Sequence, residues 1–446
     1  MNSSAAAEAI SFLHDLHRMW GGGQVDFAPH DPSYQSFLRH VAIVCFGIGI
    51  LTFVLLLLIV ARRVFFTPMN NSRSAYARMR RRDGLDGSFD VCAVILLGIT
   101  ALSALSGLLA EAQVDYSVHE IAHSMKNISY TFRTIDSVTQ NVMFTAGGVQ
   151  ANVDDMIIMF NGSLPKQANE LAVEALQLAH VGKDLQKEGH SLPANISTMA
   201  DTWEDEYFWM KSSTNGIILS MAMSSFLAIA AIGWSMSTAL RLAIIFALVI
   251  IPSSHALFGL YLSNSIEAAD YCMAPANNTL KLFPNSSGIT YFVTCPGNTT
   301  LYAPAWKQFN SSLSHAIILQ QELNDYAKTL PPATRQHLQV GYLDPIHEQL
   351  STLSKKQSEF SQASSCESTQ VIHDKAAISW CTYGVLGLFS LWLHQILLCI
   401  MLFISVVALV SIYENVRAKE ERVEMQYHLL SSYEEDNVEH LYMTRD

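Results

Sequence analysis

Apolar residues follow two patterns along the chain. In five stretches they run almost unbroken by charge: 41–61, 91–110, 214–234, 242–262 and 384–412. Each is about the ~20 residues a helix needs to cross a hydrocarbon core of roughly 30 Å. Elsewhere they recur every three or four positions. From Val118 the series is Ile121, Met125, Ile128, Phe132, Ile135, Val138 and Val142, resuming at Val149, Val153, Ile157 and Phe160. This near-heptad spacing predicts helix. "NGSLP" (161–165) breaks it, and Leu171, Leu178, Val181 and Leu185 mark a second helix, ended by a loop at 189–197. Trp306, Phe309, Leu313, Ile317, Leu323 and Leu330 mark another, and Ile346, Leu350, Leu353 and Phe360 one more, with "LPPATRQ" (330–336) between. Residues 270–304 read as irregular, with a β-prone piece at "GITYFVTC" (288–295). The expected fold is an all-α polytopic membrane protein: five transmembrane helices and an extracellular helical bundle stapled by disulfides.

Charge orients this plan. The link between the first two spans, 62–90, holds Arg62, Arg63, Arg73, Arg78, Arg80, Arg81 and Arg82, and a short Arg-rich link stays cytoplasmic. The N-terminal segment 1–40 and the long segments 111–213 and 263–383 then lie outside. The turn 235–241 and the tail 413–446 lie inside. Segment 1–40 lacks the basic and apolar stretches of a cleavable signal. Glycosylation sequons follow the same division: Asn127, Asn161, Asn195, Asn277, Asn285, Asn298 and Asn310 fall in the outer segments, Asn2 in the N-terminal tail, and only Asn70 inside. N-linked glycans are therefore expected. Cys272, Cys295, Cys366 and Cys381 lie in the second outer segment and imply two disulfides, with three connectivities open. Cys45, Cys92 and Cys399 fall in spans and are expected to be buried thiols.

The net charge of −12 argues against nucleic-acid binding. The Arg link has anionic lipid as its natural partner. "HEIAH" (119–123) fits a zinc-protease pattern, but no further ligand follows, and Val118, Ile121 and Met125 make it a packing helix. No enzyme is expected. His255 and His394 are the imidazoles well inside spans, where an ionisable group is a functional candidate. No span carries Arg or Lys in its middle, which argues against an anion pore through one subunit. The third span is rich in Ala, Ser, Gly and Met, and Pro252 is expected to kink the fourth. "EDEYFW" (204–209) reads as an aromatic belt beside a solvated acidic turn at the outer mouth of the third span. The acidic tail, "SSYEEDNVEHLYM" (431–443), reads as disordered.

Several short motifs resemble the tweety family: "FAPHDPSYQSFL" (27–38), "TFRTIDSV" (131–138), "EDEYFW" (204–209), "DYC" (270–272) and the pair Cys366 and Cys381 before the last span. Their order, with five spans and two long outer segments, carries the likeness to about residue 412. The prominins share five spans but are much longer. The resemblance implies nested disulfides, Cys272 with Cys381 and Cys295 with Cys366. It also implies a plasma-membrane homodimer joined through its outer domains and a chloride channel responsive to calcium or swelling. The alternative is a non-conducting protein for lipid handling or cell contact, with lipid held in an apolar pocket. For calcium the resemblance points to Glu111, Asp115 and Glu120, with Gln113 where the family has an acid. For the anion path it points to Lys166; His394 is the candidate inside a span.

Overall fold

The computed structural model describes residues 3–21, 26–65, 86–160, 163–190, 196–284, 286–295 and 301–443. Every regular element among them is helical. In chain order these are α1 (Ser3–Gly21), α2 (Pro32–Val60), α3 (Asp86–Phe160), α4 (Lys166–His190), α5 (Ile196–Gly233), α6 (Ser237–Met273), α7 (Pro275–Leu282), α8 (Ser287–Thr294), α9 (Ala303–Ala327), α10 (Pro332–Leu338), α11 (Asp344–Ala363), α12 (Cys366–Ser379) and α13 (Val385–Met443). Short π-helical turns at Ala61–Phe65, Gln339–Leu343 and Trp380–Gly384 extend or join them. Five of the helical stretches are long and apolar enough to span a bilayer, and each contains one of the apolar runs.

Two compact units divide the chain. The first, the span unit, comprises residues 1–118, 206–273 and 380–446. In it α2 and α13 pack on α6, and α1 packs on α6 and α13. Its buried positions are rich in Ala, among them Ala104, Ala222, Ala228, Ala243 and Ala247. Glycines bring helices together: a Cβ on Gly259 would lie 2.8 Å from the Ala42 carbonyl oxygen, so α2 and α6 could not cross as they do with a larger residue there. The second, the interspan unit, comprises residues 119–205 and 274–379. Its core collects the predicted periodic positions of α3, α4, α9 and α11, including Phe132, Leu171, Leu178, Phe309, Leu350 and Phe360. The Trp306 and Phe360 rings pack at a tilt with centroids 4.0 Å apart.

Several sequence expectations change. Residues 288–295 are not β: they form α8, because Ile289, Phe292 and Val293 face the core at helical spacing and the Ser286 hydroxyl accepts the Ile289 N–H at 3.3 Å. Burial of that stripe outweighs β-propensity. "EDEYFW" is not in a turn, since α5 runs through it without interruption. Cys92 is exposed, on the outward face of α3, whereas Cys45 and Cys399 are buried. The N-terminal segment contributes a helix, α1, whose Ala6, Ala9, Leu13 and Leu16 are buried at intervals of three and four. The tail carries α13 on to Met443. Ordinary cap chemistry starts α2: the Asp31 carboxylate accepts the Ser33 N–H at 2.8 Å ahead of Pro32.

Candidate functional site

The span unit holds an apolar cavity of about 960 Å³. Four helices wall it. From α1 come Phe12, Leu16 and Trp20; from α2, Phe37, Cys45 and Ile48; from α6, His255 and Phe258; from α13, Trp392 and Cys399. Val44, Ile48 and Ile400 line it yet are 59%, 53% and 53% exposed, so it opens on the unit's surface between α2 and α13. Apolar lining with few polar groups is the usual make-up of a small-molecule site.

Local geometry explains the walls. Pro252 lies inside α6 and leaves a backbone carbonyl one turn earlier without its donor. A turn later, His255 Nδ1 lies 3.0 Å from the Ile251 carbonyl and packs on Gly49, where a Cβ would lie 2.4 Å from that of His255. Beside it, Ser254 donates to Gln395 at 3.2 Å and lies 3.2 Å from the Cys399 sulfur. Trp392 belongs to an aromatic group with Phe12, Phe258 and Phe389, at centroid distances of 5.5–6.3 Å. Its indole N–H is buried with no acceptor among the described residues.

The cavity abuts a buried polar junction. Asp270, 1% exposed, takes His14 Nδ1 on one carboxylate oxygen at 2.8 Å. On the other it takes His17 Nδ1 at 2.6 Å and the Tyr34 hydroxyl at 3.0 Å. The His17 ring stacks on Phe37, a cavity residue, at 4.5 Å. Sequence reading missed this junction. The available signal was the pair His14 and His17, on one face of an amphipathic stretch, read there only as tail.

The sequence-predicted residues lie elsewhere and are not gathered into one site. Glu111 accepts the Tyr207 hydroxyl at 3.1 Å, Asp115 pairs with Lys211 at 2.8 Å, and Glu120 pairs with Lys375 at 2.6 Å. Lysine ammoniums thus already neutralise two of the three carboxylates. Among the described residues no group of three His, Cys, Asp or Glu is arranged to hold a metal. Glu111 and Asp115 belong to the span unit and Glu120 to the interspan unit. The "HEIAH" histidines turn to separate partners, His119 to Glu204 at 3.4 Å and His123 to Asn127 at 3.2 Å. Glu204 also binds Lys126 at 2.6 Å, whereas Asp205 and Glu206 are exposed on the same helix, and Phe208 and Trp209 beside them are 59% and 71% exposed. Lys166 pairs with Glu170 at 2.7 Å on the exposed surface of the interspan unit. His394, in the span unit, bonds its own helix at the Ser390 carbonyl at 2.7 Å.

Cys272 is bonded to Cys381, and Cys295 to Cys366, with Cα separations of 5.5 and 5.4 Å. Of the sequon residues, Asn127 lies on α3, Asn277 is exposed on α7, and Asn310 on α9 accepts the Gln357 amide at 3.0 Å. Asn161, Asn195, Asn285 and Asn298 lie outside the described residues, as do Asn2, Asn70 and Arg73 to Arg82.

Five helices long and apolar enough to span a bilayer, three of which wall a surface-opening apolar cavity, define a polytopic helical membrane protein. The Tweety family model matches residues 7–430, nearly the whole sequence, and the chain belongs to that family. Comparison with curated proteins returns no match.

Proposed function

We propose that this protein binds a membrane lipid, seating an acyl chain in the cavity among α1, α2, α6 and α13. The cavity carries this reading: it is apolar, of ligand size, and rimmed by half-exposed aliphatic side chains on helices apolar enough to span a bilayer. A chain moving in from the bilayer exchanges one apolar surrounding for another. Selectivity then rests on shape and on the few polar residues at the wall, His40, Thr52 and His255. The setting we propose is the plasma membrane, with the N-terminus outside, the C-terminus inside and the glycan-bearing interspan unit outside, joined to a second copy as a homodimer. The Arg-rich link and the one-sided sequons support this orientation. Calcium has no role in this reading.

Anion conduction is the second reading. The Ser254, Gln395 and Cys399 group favours it, since neutral donors inside a helix bundle can line a path without Arg or Lys. One preparation tests both. Purified protein is assayed for retained lipid by native mass spectrometry and, in liposomes, for chloride flux under calcium and osmotic gradients. Lipid binding requires retained lipid that falls when Ile48→Trp fills the cavity. Flux that scales with protein and falls in Lys166→Glu, with no retained lipid, would replace this reading with the channel.

A further inference from the structure

The cavity has three walls from helices of spanning length and a fourth, α1, that is not among them. Nothing in the apolar character of α1 fixes its position. Apolar contact is non-directional, and it leaves apolar residues of α1 partly uncovered: Phe12, Met19 and Trp20 are 46%, 69% and 56% exposed. Such a helix could lie anywhere along a bilayer surface. Two contacts select one place. Phe12 meets Phe389 at 5.9 Å and Trp392 at 6.3 Å. His14 and His17 meet the two oxygens of Asp270, which also receives Tyr34 of α2. Asp270 sits on a fixed base, because two residues later Cys272 is cross-linked to Cys381, at the turn leading into α13.

We propose that Asp270 is the positioning residue of the ligand cavity: its carboxylate pins α1 in place as the wall that closes the site over a bound acyl chain. The inference rests on the lipid reading above. A buried carboxylate is costly unless hydrogen-bonded, and so are the donors it would leave behind. The junction therefore forms only in the register that presents His14 and His17 together, and in that register Phe12, Leu16 and Trp20 face the cavity. The stacked His17–Phe37 pair carries the constraint from the junction to the lining.

Two thiols of this protein report on the wall. Cys45 and Cys399 are buried and line the cavity, whereas Cys92 is exposed and serves as the internal reference. In full-length protein, alkylation by N-ethylmaleimide is followed site by site, with retained lipid counted per chain. Asp270→Ala is expected to speed Cys45 and Cys399 relative to Cys92 by roughly tenfold, the scale of leaving one buried donor unpaired, and to lower retained lipid by a similar factor. Asp270→Asn, whose amide oxygen still accepts one N–H, is expected to fall between Ala and wild type. A structural fault elsewhere would not grade in this way. Wild-type rates and lipid content in Asp270→Ala protein with both disulfides intact would overturn the proposal. If that variant does not fold, His14→Ala removes one of the two α1 donors and leaves His17 and Tyr34 on the carboxylate, and unchanged rates there overturn it equally. A wild-type protein that holds no lipid, with thiols that added phosphatidylcholine does not protect, would defeat the lipid reading. Faster alkylation in Asp270→Ala would still support α1 as the wall.

Discussion

The two units bury apolar residues at the same helical period and differ in what they leave uncovered. In the interspan unit the large side chains point in: Phe309, Phe360, Leu171, Leu178 and Met156 are fully buried. In the span unit large apolar residues face both ways: Tyr261, Leu56, Ile218 and Met221 are fully buried beside Ala and close approaches at Gly49 and Gly259, while Leu58, Leu102 and Val249 are 62%, 70% and 63% exposed. The first span shows the contrast best, being the most apolar of the five and only 22% buried. Water drives large residues inward in one unit. In the other, surrounding hydrocarbon removes that drive, and close approach of small residues holds the helices. A helix with apolar residues all round therefore announces its solvent, while a striped one announces its partner.

The comparison can be broken most forcefully at the interspan core. Phe360→Ala, which removes a ring packed at a tilt on Trp306, is expected to cost about 3–5 kcal/mol by thermal unfolding. Leu58→Ala, on an outward face of the first span, is expected to leave that transition in place. Similar losses from the two would mean that the units do not differ as described. Next in size, Cys295→Ala with Cys366→Ala, opening a link across 71 residues, is expected to cost roughly 2–4 kcal/mol and to expose α8 and α12 to protease. Overpacking tests the other unit: Gly259→Val forces α2 off α6 and is expected to cost about 1–3 kcal/mol, read as a lower midpoint for detergent-solubilised protein. The smallest effect belongs to the α2 cap. Hydrogen bonds from the Ser33 hydroxyl and N–H hold the Asp31 carboxyl below its ordinary value. A lowered folded value gives stability that is complete above about pH 4 and is lost as the pH falls through that lowered value. Asp31→Ala is expected to lower the midpoint slightly at neutral pH and to erase that part of the acid dependence.

How far the sequence could be read varied with the kind of residue. Positions such as Ile135, Leu178, Phe309 and Phe360 were legible because helical spacing alone assigns them a face, and all four are fully buried. Residues 288–295 were misread because β-branched and aromatic content is ambiguous over eight residues; the cap at Ser286 and the buried stripe decide for helix. In the acidic run before the third span, Glu204 looked solvated because its partner, Lys126, lies 78 residues away, while Asp205 and Glu206 are exposed as read. The cavity was least legible. Its wall mixes residues from both ends of the chain, and Phe12 or Trp392 taken alone is one aromatic among many.

The sequence by itself determined the number of spans, the helical character of the segments between them, the two cores' composition and the family. Those properties are local or additive: a run of apolar residues, a spacing, an order of motifs. Only the tertiary structure decided where α1 docks, that Asp270 gathers His14, His17 and Tyr34 from more than 230 positions away, and that four helices leave an apolar cavity beside them. The reason is physical. Apolar patterning says that a face must be covered but not by what, whereas a buried carboxylate and a gap between helices exist only once particular partners have been brought to one place.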